Sequence, residues 1–270
     1  MLGQEFAKTL QSQEIDVATF NRSNFSTYST SEAMALALEN SDVVINCIAY
    51  TAVDKAESEE ALAYEINAEF PRKLAIASAK VGAKLIHFST DYVFDGSQAE
   101  PHRTGEAKAP KNAYGRTKAA GEDFVLQNAD QFAILRTAWL YGQYGKCFPK
   151  TIANALTTRD FVEVVNDQHG QPTWTKDVVD LTLAFIESGS TQKIIHAVSQ
   201  GEATWFNFAQ AVATSINKEK SLVVRPVTSE NFVTAAKRPK FSLLETANDF
   251  DFQIGHWLER WRRAAAEVLS

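Results

Sequence analysis

The sequence has few cysteines and no long hydrophobic run. Its two cysteines, Cys47 and Cys147, are too few for a disulfide scaffold, and Cys47 falls in an apolar run typical of a buried strand. No apolar run is long enough to span a membrane, and no signal-peptide pattern precedes the first helical segment. We therefore expect free thiols, no membrane partner and a cytoplasmic location.

The sequence also lacks an excess of positive charge and clustered metal ligands. The formal net charge is −6 and no basic stripe is present, which argues against a nucleic-acid partner. A small anionic substrate is still compatible, because a few local cations are enough to bind one. The histidines lack the spacing of metal ligands, so the sequence predicts no metal site. They are His87, His102, His169, His196 and His256.

What the sequence does contain is a regular alternation of strand-like and helix-like segments. This alternation predicts an α/β fold with a doubly wound parallel sheet. The continuous apolar run at 42–49 is typical of a strand covered on both faces. The predicted strands are 14–20, 42–49, 84–90 and 132–138, with shorter candidates in FVEVV, KIIHAV and SLVVRPV, and helices are predicted at 31–40 and 114–126.

A further helical stretch lies between the second and third predicted strands. Every fourth residue in it is apolar: Leu62, Ile66, Phe70 and Leu74. This spacing predicts that the four side chains share one face. Pro71 lacks a backbone N–H, so we expect it to kink or restart the helix.

Polar side chains stand where three of the strands end. The ends read Asn46-Cys-Ile-Ala-Tyr-Thr, Ser89-Thr-Asp-Tyr and Arg136-Thr-Ala-Trp. Functional residues of parallel sheets collect at the carboxyl ends of the strands. The chemistry of this protein is therefore expected at these three positions.

The strongest local signal is the segment NAYGRTKAAGE at 112–122. On a helix, Tyr114 and Lys118 lie one turn apart on one face. An ammonium beside a phenol favours the phenolate and lowers its pKa, so the pair could exchange a proton near neutral pH. Tyr and Lys at this spacing are common on protein surfaces, so the pair alone also fits a surface helix without chemistry. Thr90, at the end of its strand, either binds a substrate oxygen or caps a turn.

Together these stretches resemble one family. Thr90 with Tyr114 and Lys118 resembles the catalytic set of the extended short-chain dehydrogenase/reductases, and the wider pattern is similar to the dTDP-4-dehydrorhamnose reductase family. The matching stretches run in the family's order from residue 42 to about 244: DVVINCIAYTAVDKAESEEALAYEINA, STDYVFDG, NAYGRTKAAGE, ILRTAWLYG, VVNDQHGQPT and RPKFSLL. AYTAVDKAES with STDYVFDG is the specific part, whereas YGRTK indicates only the superfamily.

The resemblance implies a Rossmann-like fold whose first strand is missing from this sequence. Residues 1–146 would form the dinucleotide-binding domain, and residues 147–270 mainly a substrate-binding region with some segments returning to the sheet. Leu2-Gly3-Gln4-Glu5 resembles the last step of the family's glycine-rich loop, so Gly3 would approach the pyrophosphate. We expect an incomplete form of the enzyme; the rival expectation is a short protein that no longer binds a dinucleotide.

The resemblance also implies the catalytic roles. Tyr114 would donate a proton to the C4 keto oxygen of a sugar, and Lys118 would hold the nicotinamide ribose and tune Tyr114. Thr90 would hydrogen-bond the same sugar oxygen. Asp91 and Trp139 would line the sugar pocket, although Trp139 also fits a core aromatic residue.

The cofactor is expected to lie along the loop after the 42–49 strand. The resemblance implies contacts with Ile48, Ala49, Tyr50 and Phe88, although Ile48 and Ala49 also fit simple strand packing. Residues 20–23 carry no acidic side chain that would bind the ribose hydroxyls of NAD, and Arg22 could meet a 2′-phosphate. This favours NADP, with NAD as the alternative.

The implied activity is the NAD(P)H-dependent reduction of dTDP-4-dehydro-L-rhamnose to dTDP-L-rhamnose. Arg238 would pair with the substrate diphosphate, although a surface salt bridge fits it equally well. Tyr92 stands where related dehydratases carry a glutamate, which argues against water elimination. Two alternatives stay open: a reductase or epimerase of another nucleotide sugar, and a non-catalytic regulatory or scaffold subunit. A homodimer is also left open.

Overall fold

The computed structural model describes residues 1–21, 30–217 and 223–270. The helices are α1 Leu2–Ser12, α2 Ser31–Ala37, α3 Val53–Ala56, α4 Glu60–Tyr64, α5 Phe70–Val81, α6 Ala113–Asn128, α7 Phe148–Thr158, α8 Thr175–Ser188, α9 Trp205–Ser215 and α10 Trp257–Leu269. The strands are β1 Val43–Asn46, β2 Lys84–Thr90, β3 Phe132–Thr137, β4 Leu140–Tyr141, β5 Val162–Val165, β6 His169–Gly170, β7 Thr173–Trp174, β8 Ile194–His196, β9 Ala203–Thr204 and β10 Val224–Val227.

A parallel four-stranded sheet in the order β1-β2-β3-β8 forms the centre of the described chain. Alternate side chains of β2 enter different cores: Ile86 packs with residues of α1 and α8, and Leu85 with residues of α2 and α5. Because side chains of a strand alternate between faces, this means that helices cover both sides of the sheet. The prediction of an α/β fold with a covered parallel sheet is confirmed.

The strand predicted at 14–20 is wrong. Residues 15–20 belong to no strand, and the side chains of Ile15 and Phe20 are 47% and 41% exposed. A strand needs a neighbouring strand to satisfy its backbone groups, and this requirement is invisible in a local apolar pattern. The strand predicted at 42–49 is shorter than expected, because the Asn46 side chain accepts a hydrogen bond from Ile48 N at 3.0 Å just after β1 ends.

The long helical stretch is interrupted before its proline. Residues Glu65–Glu69 form one π-helical turn between α4 and α5, and Pro71 stands in the first turn of α5. The wider turn rotates the preceding segment relative to α5. Leu62 is therefore 42% exposed and does not share the buried face of Ile66, Phe70 and Leu74, contrary to the prediction.

The second half of the chain builds its own core and also completes the sheet. Side chains of α7, α9 and α10 pack together around Phe208 and Trp261. β8, by contrast, pairs with β3, and α8 packs against α1, where Thr175 donates a hydrogen bond to Glu5 at 3.1 Å. The division at residue 146/147 stays a prediction.

Candidate active site

The side chains of Thr90, Tyr114 and Lys118 converge at the carboxyl end of β2. Thr90 is the last residue of β2, and its hydroxyl lies close enough to the Tyr114 phenol to lower the pKa of that phenol. Lys118, one turn along α6, donates from Nζ to the carbonyl oxygen of Phe88 at 2.5 Å. The structure thus brings the three predicted catalytic side chains to one place.

Local sequence fixes where α6 begins. Asn112 is its N-cap, and Asn112 Oδ1 accepts a hydrogen bond from Gly115 N at 2.8 Å. A Cβ atom at Gly115 would lie 2.2 Å from the carbonyl oxygen of Tyr92, so only glycine permits this approach. The glycine beside Tyr114 therefore lets the helix press against the turn that follows Thr90.

Burial dominates the ionisation of Tyr114. It raises the pKa of the phenol to about 12; the Thr90 hydroxyl lowers it in part, and the charge of Asp91 raises it further. The sequence predicted that Lys118 would lower this pKa, and the net direction is the opposite. The reason is that the phenol is buried while the Lys118 ammonium is bound to a carbonyl group.

Lys118 is a buried cation with a nearby acid. Burial lowers its pKa from 10.5 to about 8, and the negative charge of Glu122 raises it in part. Glu122 is fully buried and accepts two hydrogen bonds from Arg136, at 2.9 and 2.8 Å. Tyr114, Lys118 and Glu122 therefore form a stripe with four-residue spacing along α6.

Asp91 extends the site beyond Thr90. The Thr90 hydroxyl donates to Asp91 Oδ1 at 2.8 Å and accepts from Tyr92 N at 3.2 Å. Burial raises the pKa of Asp91 to about 6, although the hydroxyl groups of Thr90 and Ser242 lower it in part. Ser242 was missed at the sequence level, because it stands far from Asp91 in the chain.

His87 is a second buried neighbour that the sequence did not single out. His87 Nδ1 and Asn46 Nδ2 lie 3.0 Å apart. Burial and the positive charge of Lys118 hold the pKa of His87 well below its ordinary value, so the ring is neutral. The only sequence signal that could have identified His87 was its position on a predicted buried strand, one residue before Phe88.

A cavity of about 590 Å³ opens at the carboxyl end of β1. Three of the predicted cofactor residues, Ile48, Ala49 and Tyr50, line it. Gly3 lies next to its wall, because a Cβ atom there would be 3.4 Å from Cys47 Cβ. The first turn of α1 therefore stands beside the same cavity.

Phe88, another predicted cofactor residue, is placed differently. The Phe88 ring packs in the core 5.7 Å from the ring of Phe6, and only its carbonyl oxygen, bound to Lys118, faces the site. Arg22 lies outside the described residues.

Arg238 is paired within the protein. Its guanidinium donates to both carboxylate oxygens of Asp54, at 3.0 and 2.6 Å, and lowers the pKa of that group. Asp54 belongs to α3, next to the cavity-lining Lys55. The salt-bridge alternative therefore describes Arg238 in this structure, and a contact with a diphosphate stays a prediction.

Trp139 lies beyond the end of β3, the strand next to β2. Thr137 pairs with Thr90 in the ladder, and Trp139 follows two residues later with a φ of 46°. This left-handed conformation is rare for a bulky side chain and costs on the order of 1 kcal/mol or more. Trp139 is half-buried against the small core that contains Phe94.

The described part of the chain contains neither a metal-ion cluster nor a membrane-spanning helix. Among the residues described, no group of three or more His, Cys, Asp or Glu side chains is arranged to hold a metal ion. No helix in residues 1–21, 30–217 and 223–270 has the length and apolarity to cross a membrane.

Known proteins match this chain over nearly its full length. The family model described as "RmlD substrate binding domain" matches residues 1–270. The chain belongs to this family. A Streptomyces antibioticus protein named probable dTDP-4,6-dihydroxy-2-methyloxan-3-one 4-ketoreductase is 40% identical over 264 residues, 97% of this chain and 85% of its own.

A second relative and a solved structure are both named dTDP-4-dehydrorhamnose reductase. A dTDP-4-dehydrorhamnose reductase of Mycobacterium tuberculosis is 40% identical over 238 residues, 86% of this chain and 78% of its own. The crystal structure of dTDP-4-dehydrorhamnose reductase from Bacillus anthracis in complex with NADP superposes with a TM-score of 0.93 at 36% identity and covers 98% of this chain and 95% of that one. The resemblance inferred from the motifs is therefore confirmed.

Proposed function

We propose that this protein is an NADP-dependent reductase of dTDP-4-dehydro-L-rhamnose that forms dTDP-L-rhamnose, with NAD as the alternative cofactor. The observation that carries the proposal is the convergence of Thr90, Tyr114 and Lys118 at the end of β2. The names of the relatives in Mycobacterium tuberculosis and Bacillus anthracis support it, as does the NADP bound to the latter.

The residues present fit a nicotinamide cofactor. The cavity after β1 offers room beside the first turn of α1, where backbone N–H groups favour an anion. Ile48, Ala49 and Tyr50 would flank the cofactor, Gly3 would lie near its pyrophosphate, and Lys118 would hold its ribose. When bound, the reduced nicotinamide supplies a hydride.

The protein's own part in the reaction is the transfer of a proton. With a pKa of about 12, Tyr114 keeps its proton at neutral pH. The phenol is therefore ready to donate this proton to the keto oxygen as the ketone is reduced. The buried ammonium of Lys118 would stabilise the phenolate that remains. Thr90 would hold the same substrate oxygen in place.

Asp91 and Trp139 would line the sugar pocket around these groups, and Arg238 would contact the substrate diphosphate. Burial raises the pKa of Tyr92 above its ordinary value, so this phenol also stays protonated at neutral pH. A dehydratase needs a carboxylate base at this position. Simple reduction of a keto group is therefore the chemistry that the triplet Thr90-Asp91-Tyr92 supports.

A second candidate is the reduction of another 4-keto nucleotide sugar. The Streptomyces antibioticus relative is named as a 4-ketoreductase of a different dTDP-linked sugar and is as similar to this chain as the relative from Mycobacterium tuberculosis. A non-catalytic scaffold role is disfavoured, since it would not require a buried Lys118 beside Tyr114 and Thr90. A cytoplasmic location and a homodimer also stay proposals.

The test is the oxidation of NADPH by the 4-keto sugar nucleotide, followed by absorbance. We expect the Tyr114→Phe variant to lose about 10²–10⁴-fold in kcat, the usual contribution of a general acid. The matched control is Tyr92→Phe, which removes a second half-buried phenol whose ring centroid lies 5.9 Å from that of Tyr114. No NADPH oxidation by the wild-type protein, or equal losses in the two variants, would contradict the proposal.

A further inference from the structure

Trp139 stacks on a second tryptophan that is distant in sequence. The ring centroids of Trp139 and Trp205 are 3.5 Å apart, and the two planes differ by only 7°. Phe148 packs against Trp205 at a centroid distance of 4.6 Å. Two nearly parallel rings in van der Waals contact leave the Trp139 indole little room to tilt.

The position of Trp205 is itself fixed by the start of α9. Thr204 caps this helix in a capping box: its hydroxyl accepts from Asn207 N at 3.1 Å, and Asn207 Oδ1 accepts from Thr204 N at 3.0 Å. Trp205 is the first residue of the helix and joins the core of the second half of the chain. It therefore offers Trp139 a rigid wall.

Gly170 confines the same indole by close contact. A Cβ atom at Gly170 would lie 2.4 Å from Cε2 of Trp139, which is far inside van der Waals contact. The left-handed backbone of Trp139 does not favour this placement by itself, since bulky residues rarely adopt a positive φ. The stack with Trp205 and the absence of a side chain at Gly170 together hold the Trp139 indole in this position.

A chain of contacts links the confined indole to Asp91. The carbonyl oxygen of His169, the residue before Gly170, accepts a hydrogen bond from Ser242 N at 2.9 Å. The Ser242 hydroxyl lies close enough to Asp91 to lower the pKa of its carboxyl group. The segments around residues 170 and 242 thus connect Trp139 to Asp91.

We infer that Trp205 is a positioning residue that, with Gly170, sets the plane of the Trp139 indole and hence the apolar surface offered to the sugar ring. The inference rests on the proposed function, because it places a nucleotide-linked deoxy sugar against Trp139. The methyl group and C–H faces of such a sugar are apolar, so a flat aromatic surface at a fixed angle suits them.

The first test compares steady-state constants. For Trp205→Ala we expect KM for the 4-keto sugar nucleotide to rise about tenfold, the loss of roughly one aromatic contact, with kcat and KM for NADPH changed less than about threefold. Trp205→Phe retains a ring against Trp139 and should recover most of the loss. Phe206→Ala, one residue along the same helix and packed on the same core, is the matched control.

A variant at Gly170 tests the same idea independently of α9. Gly170→Ala places a methyl group where the Trp139 ring lies, so it should raise the same KM and leave KM for NADPH unchanged. If Phe206→Ala raises the sugar KM as much as Trp205→Ala, or if Trp205→Phe fails to recover it, Trp205 is only structural and the inference is wrong.

Two measurements without turnover separate this inference from the proposed function. Closely stacked indoles give an exciton couplet in circular dichroism, which Trp205→Ala should abolish and Phe206→Ala should keep. Titration with dTDP-L-rhamnose, followed by tryptophan fluorescence, should show a Kd about tenfold weaker for Trp205→Ala. An inactive wild-type protein with these responses would refute the reductase and keep the positioning role, whereas an active one with unchanged Kd would refute the positioning role.

Discussion

Lys118 shows how a single residue's surroundings can oppose its sequence-based interpretation. The spacing from Tyr114 correctly places the two residues one turn apart on a helix, but it contains no information on burial. In the structure, Lys118 is 2% exposed and its ammonium binds a backbone carbonyl group. Burying this charge therefore lowers the stability of the folded protein. The function proposed for Lys118 would explain why the protein keeps a buried charge here.

This cost predicts a pH dependence of stability. The pKa of Lys118 is about 8 in the folded protein and 10.5 ordinarily. Between pH 8 and pH 10.5, the unfolded chain therefore binds one more proton than the folded protein. The destabilisation is complete below pH 8 and disappears as the pH rises to 10.5, so wild-type stability rises across this window. We expect the free energy of unfolding of Lys118→Met minus that of wild type to fall by about 3 kcal/mol from pH 8 to 10.5.

Urea denaturation at several pH values measures this difference. Lys111→Met is the control, because it removes an ammonium whose side chain is 53% exposed. A difference for Lys118→Met that stays constant across the window, or that matches the one for Lys111→Met, would show that Lys118 carries no such burial cost.

At the scale of elements, the contact between α6 and the π-helical turn depends on one glycine. A Cβ atom at Gly121 would lie 2.1 Å from the carbonyl oxygen of Asn67 in that turn. Asn67 in turn accepts from Tyr50 N at 2.8 Å and donates to Thr117 Oγ1 at 3.1 Å. The turn thus links α6 to the loop that lines the cavity after β1.

The substitution Gly121→Ala separates helix propensity from packing. In an isolated helix it would stabilise by about 1 kcal/mol. Here the added methyl group meets backbone that cannot rotate away, so we expect a net loss of about 1–3 kcal/mol in the free energy of unfolding. Gly105→Ala, where a Cβ atom would meet nothing within 4 Å, is the control for the assay by urea denaturation. A Gly121→Ala variant as stable as the wild type would refute the close contact.

For the whole molecule, the two halves of the chain share one sheet. β8 pairs with β3, and α8 covers the face that contains Ile86 together with α1. Cutting between the halves would therefore expose strand edges and a hydrophobic core. Shared cores of this kind favour unfolding in a single transition.

Tryptophan fluorescence tests this coupling directly. All five tryptophans follow residue 138: Trp139, Trp174, Trp205, Trp257 and Trp261. We expect the urea transition followed by their fluorescence to coincide with the one followed by far-UV circular dichroism, which reports helices in both halves. The Gly121→Ala variant, changed in the first half, should shift both transitions equally. A fluorescence midpoint that does not move would mean that the halves unfold separately.

The sequence by itself determined the elements whose signals are local. The strand predicted at 84–90 and the helix around Tyr114 are both present, and the motifs placed the chain in its family. Periodicity, caps and short motifs depend on neighbours along the chain, so the local sequence alone contains them.

Only the tertiary structure decided the outcomes that depend on partners distant in sequence. It left residues 15–20 without a strand, paired Arg238 with Asp54 and stacked Trp205 on Trp139. It also reversed the direction expected for the pKa of Tyr114, because burial outweighs its other surroundings. Strand pairing, ion pairing and desolvation are set by which segments meet in space, and no local pattern contains that information.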